Sequence, residues 1–133
     1  MFLAVASAAV ALAVTASAAG PTVALNLKGG SANRVLVACG IRHHYTFFPL
    51  RRPFSMGGVV QPVPPARWRV KVKVKKCIRG RFRTVWARHA NGKSDGTFKI
   101  AYTPRRAGSY FARAYYYGVR PAARSDKQYF RAP

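Results

Sequence analysis

The chain has no glutamate and only two aspartates, Asp95 and Asp126, against 24 lysines and arginines in 133 residues. Hydrolysis by paired carboxylates would need those two to meet across the fold, and their surroundings read as turns instead. Asp95 lies within Gly92-Lys93-Ser94-Asp95-Gly96, a composition typical of a hairpin loop. Histidine is scarce too. A Ser–His–Asp set can be assembled on paper from His89 and scattered serines, but no serine stands in a nucleophile-elbow context. No catalytic residue is assigned, and a non-enzymatic protein is expected. Amphipathic helical spacing is absent beyond the first nineteen residues, and those nineteen carry no charge.

That uncharged stretch, Met1 to Ala19 (MFLAVASAAVALAVTASAA), has the length, apolar centre and small-residue ending of a secretory signal peptide. Ala16-Ser17-Ala18 and Ser17-Ala18-Ala19 both suit a cleavage site. No lysine or arginine precedes the run, so the terminal amine alone would supply its positive end. A transmembrane anchor is the alternative, since about 17–20 apolar residues make a minimal span. The cleavage-like ending favours a cleaved helical leader and a secreted, extracellular or cell-wall-associated product.

Two cysteines, Cys39 and Cys77, survive in a chain bound for an oxidising compartment, which favours a disulfide. With His43, His44 and His89 they also make up a zinc ligand set on paper. Cys39-x3-His43 has suitable spacing, but Cys77 and His89 are too far apart for a compact knuckle. Adjacent histidines in a strand also point to opposite faces. A cross-link without metal or cofactor is the expectation.

What the chain does have is positive charge, a net +22. Sixteen of the cations are arginine, whose planar fork matches phosphate and carboxylate. Such a surface attracts anionic wall polymers, acidic polysaccharide, nucleic acid and lipid head groups. Along the chain, short apolar runs alternate with Gly, Pro and Asn. Thr22–Leu27, Arg34–Ala38, His44–Phe48, Phe54–Gln61, Phe82–Ala87, Thr97–Tyr102, Ser109–Tyr117 and Gln128–Arg131 all read as strands. The clearest is Trp68-Arg69-Val70-Lys71-Val72-Lys73-Val74-Lys75. Its strict alternation puts Trp68, Val70, Val72 and Val74 on one face and four cations on the other. The pattern breaks at Lys76-Cys77, where a bulge or strand end is expected.

Several stretches resemble the immunoglobulin-like β-sandwich modules of secreted and surface proteins from GC-rich Gram-positive bacteria. They are Gly58-Val59-Val60-Gln61-Pro62, the Trp68–Val74 strand, Gly80-Arg81-Phe82-Arg83-Thr84-Val85, Asp95-Gly96-Thr97-Phe98 and Pro104-Arg105-Arg106-Ala107-Gly108-Ser109-Tyr110, with Ser125 downstream. The Gly108-Ser109-Tyr110 triplet is similar to a tyrosine corner. The resemblance implies an all-β, immunoglobulin-like antiparallel β-sandwich (fibronectin III-like modules share the architecture) over 44–133. A leader at 1–19 and an N-terminal extension with short strands at 20–43 would precede it.

Arg67, Arg69, Lys71, Lys73 and Lys75 would project from one strand face at intervals of about 7 Å, twice the rise per residue. Arg79, Arg81 and Arg83 would extend the row from a neighbouring strand. These eight form the candidate polyanion-binding set. A solvated outer face, charged against edge-to-edge aggregation, explains the same pattern, and both readings stay open. In the aromatic strand, Phe111, Arg113, Tyr115 and Tyr117 share a face, opposite Tyr110, Ala112, Ala114 and Tyr116. The first face can stack sugars or bases; the preferred reading turns it to the core. Anionic polymers are the expected partners, with peripheral membrane contact and no small-molecule substrate. A structural module with incidental charge and a cationic antimicrobial or nucleic-acid-binding effector are the alternatives.

Overall fold

The computed structural model describes residues 20–133, so the expected leader lies outside the described residues. The described chain is built from strands without a helix: β1 Thr22–Lys28, β2 Ser31–Ala38, β3 Ile41–Phe47, β4 Phe54–Gln61, β5 Arg69–Ile78, β6 Arg81–Asn91, β7 Thr97–Tyr102, β8 Gly108–Tyr116, β9 Ala123–Arg124 and β10 Gln128–Ala132. They form a three-stranded sheet, β1-β4-β7, and a larger one in the order β2-β3-β10-β8-β5-β6, with β9 beside β8. The architecture is all-β, two sheets in a sandwich-like arrangement. Every pairing but one is antiparallel. β10 runs parallel to β3, so the large sheet is mixed rather than wholly antiparallel.

β5 forms as its alternation demands. Val70, Val72 and Val74 are buried with Trp68 just before them, while Lys71, Lys73 and Lys75 take the opposite face. Full burial of a valine contributes roughly 1.5–3 kcal/mol, so this one face is a main tie between the sheets. β5 continues past Lys75 to Ile78. The bulge sits one pair before the expected place and on the partner strand, where Val85 is the extra residue between Val74↔Trp86 and Lys75↔Thr84. Two hairpins close with two-residue turns in which both residues have positive φ, Cys39-Gly40 and Arg79-Gly80. That geometry matches the right-handed twist of the paired strands.

Across the sandwich, Leu25, Phe54, Met56, Val60, Phe98 and Tyr102 descend from the small sheet onto the β5 valines. Gly58 lies under the Phe98 ring, and a methyl group in its place would collide with that ring and with the Ala24 carbonyl. The core face of β8 is Tyr110, Ala112 and Ala114, not the aromatic face with Arg113. The reason is space: Ala112 and Ala114 stand beside Val74 and Val72, giving a low floor for bulky groups from the other sheet. The boundary drawn between His43 and His44 falls inside β3, and β1 delivers Val23 and Leu25 to the same core.

Candidate functional site

The outer face of the large sheet is where the cations of β5 meet the aromatic face of β8. Lys71, Lys73 and Lys75 stand opposite Tyr115, Arg113 and Phe111. All three lysines are half-buried. Lys73 Nζ is 4.8 Å from the centroid of Tyr115, and Lys75 Nζ is 5.8 Å from that of Phe111. Each ring also serves a second cation. Arg113 Cζ is 6.0 Å from the Tyr115 centroid, and Lys127 Nζ is 5.0 Å from that of Phe111. The Arg113 guanidinium is fixed by donating from Nε to the Ser125 carbonyl at 2.7 Å. Tyr117 stacks on Tyr115, their centroids 6.1 Å apart.

Lys73 and Arg113 are direct cross-strand partners of like charge. Such a pair weakens a sheet unless something offsets the repulsion. Two carboxylates cannot offset 24 cations, and that of Asp95 is engaged elsewhere. It accepts from the Thr97 amide at 3.0 Å and the Thr97 hydroxyl at 2.6 Å, and these bonds hold its acid below the ordinary carboxylate range. The local field shows at His89, which pairs with Lys71. Its imidazole is held below the usual histidine range, first by desolvation and then by Arg69 and Lys71.

The eight residues of the candidate set do not form one row. Arg69, Lys71, Lys73 and Lys75 share the outer face of β5, and Arg67 is exposed in the loop before it. Arg79 sits in the turn. Arg81 and Arg83 pair with Ile78 and Lys76, one position out of phase with Lys75 and Cys77, so both turn to the opposite face. Arg113 and Lys127 hold the neighbouring positions instead. The register of β5 against β8 decides this, and a single strand's alternation carries no information about it.

Beside the lysines, the same face bears a small apolar cluster. Tyr45, Phe111 and Tyr129 are buried there with Leu36, Ala38, Ile41 and Phe82 around them. The β2–β3 hairpin provides the cover. A disulfide from Cys39 at its tip to Cys77 at the end of β5 pins it, with Cα atoms 5.9 Å apart. Bonded to each other, the two sulfurs cannot act as thiolate ligands. His43 stacks on Tyr129 at 4.2 Å between centroids, at the margin of this cluster. The Tyr45 hydroxyl is buried without a hydrogen-bond partner.

Fold and site together define a disulfide-stapled, all-β protein of two sheets with a cationic, aromatic outer face. Neither the protein-family models nor the curated proteins contain a match to this chain.

Proposed function

We propose that the protein is a secreted, non-enzymatic adhesion protein that holds anionic polymers of the cell envelope or extracellular matrix on the outer face of its large sheet. The Lys73–Arg113 pair carries this reading. Two cations face each other over one tyrosine ring, in a row that continues through Lys71, Lys75 and Lys127. An anion between them would relieve the repulsion, and side chains already laid on rings lose little freedom when it arrives. The disulfide is compatible with an oxidising extracellular setting.

For the fold we propose an immunoglobulin-like module. The Tyr110 hydroxyl donates to the Arg106 carbonyl four residues upstream, the arrangement of a tyrosine corner. Alanines on the core side of β8 and two-residue hairpins are common to many sandwiches and weigh less.

Salt dependence tests the site. Binding to a duplex DNA, used as a defined polyphosphate, should weaken with salt at a log–log slope of about −0.9 per phosphate engaged. Replacing Lys71, Lys73 and Lys75 together with glutamine should flatten that slope by roughly two to three units. A control variant changes Lys28, Lys93 and Lys99, which border a shallow trough on the small sheet. It should alter the slope by much less than about one unit. Equal effects from both would mean that the whole charged surface attracts polymer and that this face is only wet. His89 gives a local readout: polymer on the face should raise its pKa as the field of Arg69 and Lys71 is screened.

A further inference from the structure

At the seam between the sheets, β6 and β7 are both edge strands with no ladder joining them. The strands part there around a cleft of about 460 Å3, within the size range of small-ligand sites. Its apolar side is made of Trp86, Tyr102 and Tyr110. Trp86 and Tyr102 have ring centroids 5.1 Å apart with planes inclined at 62°, and Tyr102 and Tyr110 6.4 Å at 64°; Tyr102 and Tyr110 are buried, so half-buried Trp86 is the ring that offers a face. Its polar side is made of Lys76, Arg105 and Arg106, and no acidic residue lines it.

Each part is placed by a local cause. The bulge at Val85 lies at the wall of the cleft beside Trp86, and bulges re-aim the side chains next to them. Lys76 is the residue that breaks the alternation of β5. It lies on the core side of the sheet, opposite Tyr110, with Nζ 5.9 Å from that ring. Its stem crosses Gly108, where a methyl group would come within 2.6 Å of Lys76 Cε. A lysine on the core side of a strand is costly unless it reaches a polar opening, and here it does. The loop bearing Arg105 and Arg106 is tied down twice, by the Tyr110 hydroxyl on the Arg106 carbonyl and by the Arg51 amide on the Pro104 carbonyl at 2.7 Å.

We propose that this cleft binds a carboxylated sugar ring, a uronic acid unit of an acidic polysaccharide. The flat C–H face of a pyranose suits the half-buried Trp86 ring. A carboxylate on its rim suits the two arginines and the lysine that line the same cleft. A polymer that needed charge alone would find it anywhere on this surface; the indole of Trp86 beside the cations adds selection for a ring. The site stands apart from the outer face of the large sheet and does not depend on adhesion there.

The test is a titration of the 15N-labelled chain with digalacturonate, with its methyl ester, and with acetate. Digalacturonate should move the Trp86 indole N–H signal saturably, and the ester should bind roughly tenfold or more weakly, the scale of a lost charge-assisted hydrogen bond. The Arg105→Gln, Arg106→Gln double variant should lower affinity for the acid to that of the ester and leave the ester unchanged. The Lys71, Lys73 and Lys75 glutamine variant should bind digalacturonate as before even where it loses DNA. An unmoved Trp86 signal, equal affinity for acid and ester, or acetate acting at the same concentration would each overturn the proposal. The ester comparison decides the matter on the unaltered chain should the double variant fold poorly.

Discussion

The large sheet bears a buried aromatic cluster on each face, and the two are held in different ways. Between the sheets, eighteen buried residues interlock. Tyr110 stacks on Phe130 at 5.0 Å, and Phe48 on Phe54 at 3.8 Å. On the outer face the buried hydrophobic residues form a cluster of three, Tyr45, Phe111 and Tyr129, under one hairpin. An eighteen-residue cluster keeps its place by packing; a three-residue cluster removes too little apolar surface to hold its own cover. The covalent bond is found at the smaller one. Apolar area and cross-link are thus interchangeable ways of fixing a strand, used where each is available.

Replacing Cys39 and Cys77 with serine tests this difference most severely. The bond closes a loop of sequence separation 38, for which the chain-entropy estimate is about 4 kcal/mol, an upper figure. Denaturation of the double variant should show that loss. Hydrogen exchange should place it first in β2 and β3, with β4 and β5 still protected. Loss spread evenly over both sheets would mean that the two clusters are one cooperative body.

Val72→Ala probes the inner cluster and should cost roughly 1–3 kcal/mol in lost burial and cavity. Its neighbour Lys73→Ala, on the outer face, should change stability by less than about 0.5 kcal/mol, or raise it slightly by relieving Arg113. Matching losses would contradict the two-faced reading of β5. Chemical denaturation of the pair gives the comparison directly.

A further comparison concerns Tyr45, whose hydroxyl has no partner in the outer cluster. Tyr45→Phe removes an unsatisfied buried group and should raise stability by about 1 kcal/mol. It also sharpens a pH effect. Burial raises the Tyr45 phenol above its usual range, and Tyr102, in the inner cluster, is pushed up to about 12 by the same cause. The unfolded chain therefore releases these protons first. The stability they contribute is complete below about pH 10 and is lost as pH rises toward 12. Tyr45→Phe should shallow that alkaline decline, and Tyr102→Phe should shallow it more. An unchanged decline in both variants would place its origin elsewhere, in Tyr110 and Tyr129, whose phenols burial also raises.

Much of this was legible along the chain where one strand's pattern carries its own answer. The valines of β5 declare a buried face, and the two cysteines form the bond expected of them. The tyrosine at Gly108-Ser109-Tyr110 makes the backbone hydrogen bond of the corner it resembles. What stayed hidden depends on a partner strand. Either face of β8 can be a core by composition, and only the bulk arriving from β4 and β7 decides for the alanines. Arg81 and Arg83 leave the lysine row because of register, a property of pairs. Lys76 looked like the end of a pattern and proved to line an opening.

The place of β10 has a consequence for the order in which this molecule is made. It follows every other strand in sequence, yet it sits inside the large sheet, with β3 on one side and β8 on the other. Until Gln128–Ala132 arrive, the β2–β3 hairpin has no ladder to join, however complete the small sheet has become. A chain that emerges from its N-terminus thus stays incomplete, and compliant, until Gln128–Ala132 have taken their place between β3 and β8.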